Sequence, residues 1–145
     1  MHPLKKKIQQ SFDKSSSLYD INAKLQIDVL QELFNFFFSE YKSTDPLEQV
    51  KFLDLGCGTG ECGKLFSDRL KPKKIHLLDI SKEMLINSKK KFLKKDVILH
   101  HSDFDNFKKF QDYDFITSNM SLHWSCDFFN LMCRIVNSVK SGSII

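Results

Sequence analysis

The chain has 145 residues, 41% of them hydrophobic, and a formal net charge of +4, a length that suits one domain with a sizeable core. No apolar run is long enough to span a membrane, and Lys5, Lys6 and Lys7 lead straight into Gln9, Gln10 and Ser11 without an apolar signal region, so a cytoplasmic protein without membrane association is expected. The lysine clusters at 5–7, 71–74, 89–95 and 108–109 are not interleaved with aromatics; they are expected to be solvated surface, with no nucleic-acid partner.

Leu30, Leu33, Phe34, Phe37, Phe38 and Tyr41 recur at helical spacing, which predicts a long amphipathic helix over about Asn22 to Tyr41. Ser43-Thr44-Asp45-Pro46 breaks that pattern. Residues 1–45 are therefore expected to form an N-terminal helical extension or lid, and 46–145 a ligand-binding domain.

The segment from Val50 to Leu55 is an apolar strand running into Gly56-Cys57-Gly58-Thr59-Gly60. Glycines at 56, 58 and 60 permit positive φ and a close backbone approach to a ligand. Asp54 is the exception in a strand that should be almost wholly apolar, and it needs a polar partner. Leu65, Phe66 and Leu70 fit one helix face, ended by Lys71-Pro72-Lys73, and Ile75 to Ile80 form a second strand. Ser81 caps a helix carrying Met84, Leu85, Ser88 and Phe92, and Val97 to His100 are a third strand. Tyr113 to Ser118 make a fourth strand. Asp127 opens a helix with Leu131, Met132, Ile135, Val136 and Val139, and Gly142 to Ile145 begin a fifth strand.

Strands alternating with helices imply an α/β fold: a Rossmann-like, doubly wound parallel sheet with helices on both faces and ligands beyond the carboxyl ends of the strands. Asp54 with its glycines, Asp79, Asp103 and Asn119 all fall there. Gly58-Thr59-Gly60-Glu61-Cys62-Gly63 is a literal GxGxxG with Asp79 about twenty residues on, so a dinucleotide must be considered. A carboxylate placed just before the turn, however, suits a cationic ammonium better than a pyrophosphate, which favours an amino-acid-bearing ligand.

Three histidines, His100, His101 and His123, have no catalytic partners in sequence and are expected to be surface or packing residues. Adjacent strand positions such as 100 and 101 point to opposite faces, so no metal site is expected. The four cysteines (Cys57, Cys62, Cys126, Cys133) show no paired spacing and are expected to be reduced thiols.

From Val50 to Ile145 the chain resembles the class I S-adenosylmethionine-dependent methyltransferases, on the pattern Asp54-x-Gly56-x-Gly58-x-Gly60 followed by Asp79, Asp103-Phe104 and Asn119. The resemblance implies S-adenosyl-L-methionine as cofactor. Asp54 and the Gly56 to Gly60 turn would line its methionine half, Asp79 would bind the ribose, Ile80 and Met84 would flank the adenine, and Asp103 and Phe104 would meet the adenine edge. Asn119 would stand beside the reacting centre. Phe12-Asp13-Lys14-Ser15-Ser16-Ser17-Leu18-Tyr19-Asp20, Ala23-Lys24-Leu25-Gln26 and Ser118-Asn119-Met120-Ser121-Leu122-His123-Trp124 further resemble the malonyl-acyl carrier protein O-methyltransferases of biotin synthesis. That similarity implies a lid in which Tyr19 and Gln26 close over the cofactor, with Tyr19, Asn119 and Trp124 positioning the substrate, malonyl-acyl carrier protein. It implies no general base, because the malonyl carboxylate is already ionised near neutral pH.

Families of this kind continue their sheet past a fifth strand, so the sheet is expected to be incomplete at its C-terminal side, with an exposed edge. A truncated, inactive methyltransferase remnant that retains a cofactor cradle is one alternative. Ser121-Leu122-His123-Trp124 also resembles a methyltransferase-like arginine hydroxylase that assists complex I assembly, which gives another.

Overall fold

The structure, a computed structural model, describes residues 2–41, 50–92 and 95–145. The expected break at Ser43 to Pro46, and with it the boundary between 45 and 46, lies outside the described residues. Three N-terminal helices come first: α1 (Pro3–Ser15), α2 (Tyr19–Asn22) and α3 (Lys24–Glu40). Then come β1 (Lys51–Leu55), α4 (Glu61–Leu70), β2 (Lys74–Asp79), α5 (Lys82–Lys90), β3 (Val97–His101), β4 (Phe115–Thr117) and α6 (Phe128–Ser138), with no α-helix between β3 and β4. Single 3₁₀ turns at Phe110–Asp112 and Leu122–Trp124 flank β4. Among the described residues no helix is long and apolar enough to cross a membrane.

The four strands are parallel in the order β3-β2-β1-β4. Alternation along each strand divides the core between two faces. Phe52, Ile75, Leu77 and Phe115 pack with Leu30 of α3, Phe66 and Leu70 of α4 and Leu85 of α5. Leu53, Leu55, Leu78 and Ile116 pack instead with Phe104, Phe107, Phe110, Tyr113 and the α6 residues Leu131 and Ile135. The expected doubly wound α/β sheet is present. β4 is shorter than the predicted Tyr113 to Ser118, and beyond it the fifth strand consists of one parallel bridge, Phe115 with Ile144.

The long predicted helix is α3, and its aromatic stripe explains how the extension joins the domain. Phe34 and Phe37 lie 5.3 and 5.6 Å from Phe66, and Phe37 lies 5.2 Å from Phe115 in near-perpendicular geometry, a favoured aromatic arrangement. Two expected core positions differ. Leu33 is 37% and Val136 58% exposed, because each stands about 100° round its helix from a neighbour that does face the sheet, Phe34 and Ile135 respectively.

Of the roles expected for His100, surface or packing, it takes the second, packed with His76 and Tyr113. His76 Nδ1 lies 2.8 Å from His100 Nε2 and 3.1 Å from the Tyr113 hydroxyl, with the two imidazoles within 13° of parallel. The short nitrogen contact needs a single proton between the rings. Burial lowers both imidazoles, His76 to about 4, and raises the Tyr113 phenol to about 12, so the cluster is neutral near pH 7. His101, one position on, faces away from that cluster and contacts the Ile80 carbonyl at 3.0 Å.

Candidate cofactor site

The C-terminal end of β1 gives way to a turn bound to the next strand. Gly56 and Cys57 both donate their N–H to the Leu78 carbonyl, at 2.8 and 2.9 Å, and Gly60 donates to the Cys57 carbonyl at 2.8 Å. Gly56 has φ +73, and a Cβ there would overlap the Ser121 side chain. That side chain is itself fixed, since its hydroxyl donates to the Leu55 carbonyl at 2.8 Å. Gly58 has φ +52 and, in contrast, nothing stands within 4 Å of the position a Cβ would take. The chain has cleared space on that side of the turn.

Asp79, at the end of β2, organises the same turn. Its Oδ2 accepts the Gly58 N–H at 2.8 Å and its Oδ1 accepts the Ser81 N–H at 2.8 Å. Burial pushes its carboxyl up, while these N–H groups pull it down; the upward push prevails. Ser81 caps α5 as expected, its hydroxyl oxygen accepting from the Met84 N–H at 3.1 Å.

An open cleft lies beside this turn, beyond the carboxyl ends of the strands. Gly56, Gly58, Asp79, Ile80, Met84, Asp103, Phe104, Asn119, Gln26, Tyr19 and Trp124 all border it. Elements far apart in sequence thus bring together almost all of the predicted site. Asp54 and Gly60, expected to line the methionine half, do not border the cleft. Asp54 shares a strand face with Phe52, so it points under α4, where its Oδ2 accepts the Gly63 N–H at 2.7 Å and its Oδ1 has no partner. It is completely buried, and that burial raises its carboxyl to about 7. A Cβ on Gly60 would stand 2.9 Å from the Ser88 Cβ, so this glycine serves the packing of the turn on α5.

The N-terminal helices form the outer wall, held by polar contacts at several points. Lys5 Nζ lies 3.0 Å from Asp103 and 2.9 Å from Asp105. Asp13 accepts from the Ser81 hydroxyl at 2.6 Å, and Asp20 accepts from the Thr59 hydroxyl and from Lys91 Nζ at 2.8 Å. Asn119 donates to the Gln26 carbonyl at 3.0 Å. Inside, Phe12 packs edge-on against Trp124, with ring centroids 5.7 Å apart, and against Tyr19 at 6.2 Å. Burial, then the Asp79 and Asp20 charges, raise the Tyr19 phenol; it stays protonated and is a hydrogen-bond donor. The polar contacts of Lys5, Asp13 and Asp20 were not expected here. Lys5 in particular, expected to be solvated, is 2% exposed. Its place three residues before Ile8 and seven before Phe12, both on the cleft, was the available signal.

A family model described as "Methyltransferase domain" matches residues 52–142. The chain belongs to the methyltransferase domain family. Among curated relatives, this methyltransferase domain is 29% identical to a malonyl-[acyl-carrier protein] O-methyltransferase of Acetivibrio thermocellus, over 97% of the chain and 48% of the relative. It is 28% identical to malonyl-[acyl-carrier protein] O-methyltransferase 2 of Coxiella burnetii, over 100% of the chain and 57% of that protein. The chain therefore spans about half the length of the curated relatives it matches. A solved DhpI–SAH complex superposes with a TM-score of 0.78 at 18% identity, covering 99% of this chain and 68% of that one. At that identity the likeness shows the fold of the methyltransferase domain.

Proposed function

We propose that the cleft binds S-adenosylmethionine and that the chain carries the cofactor-binding part of an O-methyltransferase acting on the free carboxylate of malonyl-acyl carrier protein, in biotin synthesis. The observation that carries this reading is the vacant side of Gly58, set in a cleft bordered by Asp79 and Asp103. A compact ligand with an amino-acid end needs backbone approach at the turn, a hydroxyl acceptor at the end of the second strand and an amino acceptor at the end of the third. Gly56 and Gly58 suit the first, Asp79 the second and Asp103 the third, with Ile80, Met84 and Phe104 supplying apolar surface for a flat base. Asp54 and Gly60 then shape the turn from behind. The names of the curated relatives support the substrate.

Bound there, S-adenosylmethionine would supply an electrophilic methyl group. The chain's own residues position and shield. A malonyl carboxylate is ionised near neutral pH and needs no base, which agrees with a cleft that no histidine borders among the described residues. Tyr19, held protonated, donates a hydrogen bond to the acceptor; Asn119, oriented by Gln26, faces the same space, and Trp124 walls it. α1 to α3 exclude water, so that rate comes from holding two reactants together.

Incubation of the chain with malonyl-acyl carrier protein and methyl-labelled S-adenosylmethionine tests the substrate. The expected product is labelled malonyl methyl ester on the carrier, absent with acetyl-acyl carrier protein. Cofactor binding without ester formation would remove the malonyl assignment.

A further inference from the structure

Lys5 is a buried cation with a specific set of partners. Its Nζ lies 3.0 Å from Asp103 Oδ1, 2.9 Å from Asp105 Oδ2 and 4.4 Å from the centroid of the Phe104 ring. An ammonium removed from water is tolerable only with compensation of this kind. Asp103 Oδ1 also accepts the Asp105 N–H at 3.0 Å. Both of its bonds therefore fall on one oxygen, which leaves Oδ2 as the acceptor for an amino group in the cleft. Asp105 continues the chain of contacts, accepting from the Ser125 hydroxyl at 2.6 Å and the Cys126 N–H at 2.8 Å. Burial alone would raise the Asp105 carboxyl, yet Ser125, Cys126 and Lys5 together hold it below the usual range.

We propose that Lys5 is a positioning residue: by bridging Asp103 and Asp105 it closes α1 over the cleft and fixes the Asp103 carboxylate so that Oδ2 reads the amino group of the adenine. The proposal rests on the reading that the cleft takes S-adenosylmethionine. Without the ammonium, two neighbouring carboxylates face each other across one turn and repel, and Asp103 loses the bond that selects its rotamer. Through Asp105 the same ammonium also ties Asp103 to Ser125 and Cys126, just after Trp124.

The test is calorimetric, with S-adenosylhomocysteine and its 6-oxo analogue, S-inosylhomocysteine, which presents no amino donor. The unaltered chain prefers the amino form by about tenfold, the value of one hydrogen bond to a charged group. Lys5→Met brings the two affinities close to equality, and Lys5→Arg, which still bridges two carboxylates, restores most of the preference. A merely structural lysine would weaken both ligands alike, and that result overturns the proposal, as would equal affinities in the unaltered chain. If Lys5→Met does not fold, Asp105→Asn keeps the Ser125 and Cys126 contacts and shows a smaller loss of the same preference; an undiminished preference there overturns the proposal. Failure of the unaltered chain to bind either ligand would instead refute the cofactor reading itself.

Discussion

Replacing Asp79 with alanine is expected to weaken S-adenosylhomocysteine binding by about a hundredfold or more while leaving the chain folded. The carboxylate holds the Gly58 and Ser81 N–H groups, so its loss loosens the turn and the cap of α5 at once. It would also be the acceptor for the ribose hydroxyls, and hydrogen bonds to a charged group are worth roughly 1.5–3 kcal/mol each; two of them correspond to about two to four orders of magnitude in affinity. Stability suffers less, because a carboxyl that burial has pushed upward is a desolvated charge whose removal relieves part of its own cost. Asp79→Asn should fall between, since one amide oxygen accepts from either N–H but its nitrogen repels the other. Titration calorimetry with thermal unfolding of each variant checks both halves. Affinity unchanged in Asp79→Ala would remove the ribose assignment.

A second large effect separates two neighbouring glycines. Gly58→Ala costs the fold only the strain of an L-residue at positive φ, roughly 1–2 kcal/mol, because nothing lies within 4 Å of the new methyl. That methyl would project into the space assigned to the ligand, so affinity should fall at least about tenfold. Gly56→Ala should do the reverse. Its methyl overlaps the Ser121 side chain, which cannot move without giving up its bond to the Leu55 carbonyl, and unfolding free energy should drop by about 3 kcal/mol or more. Denaturant unfolding and ligand titration on both variants give the comparison. Equal losses of stability, with binding intact in Gly58→Ala, would mean that the vacant side of the turn is not the ligand's side.

Much of this architecture was visible in local pattern. The glycine turn, the Ser81 cap and the strand-helix-strand order from β1 to β3 are each decided within a few residues, and the structure keeps all three. Strand parity also carried information about Asp54: it shares a face with Phe52, and the structure lays α4 over that face. The contacts of Lys5 were invisible for a different reason. Its partners lie 98 and 100 positions away, and a lysine beside two others in an N-terminal run has the composition of solvated surface. Periodicity finds which face of a helix is apolar, but not that a cation on that face meets two carboxylates on a loop after β3. His76 escaped notice similarly, since its pairing with His100 depends on the β2–β3 register.

The central claim is that the cleft beside Gly58 is built for S-adenosylmethionine and not for a dinucleotide. Titration of the unaltered chain with S-adenosylmethionine, repeated in the presence of excess NAD, tests it most directly. The account predicts saturable binding at one site per chain, displaced by S-adenosylhomocysteine and indifferent to NAD. Absence of binding, or displacement by NAD, would contradict it.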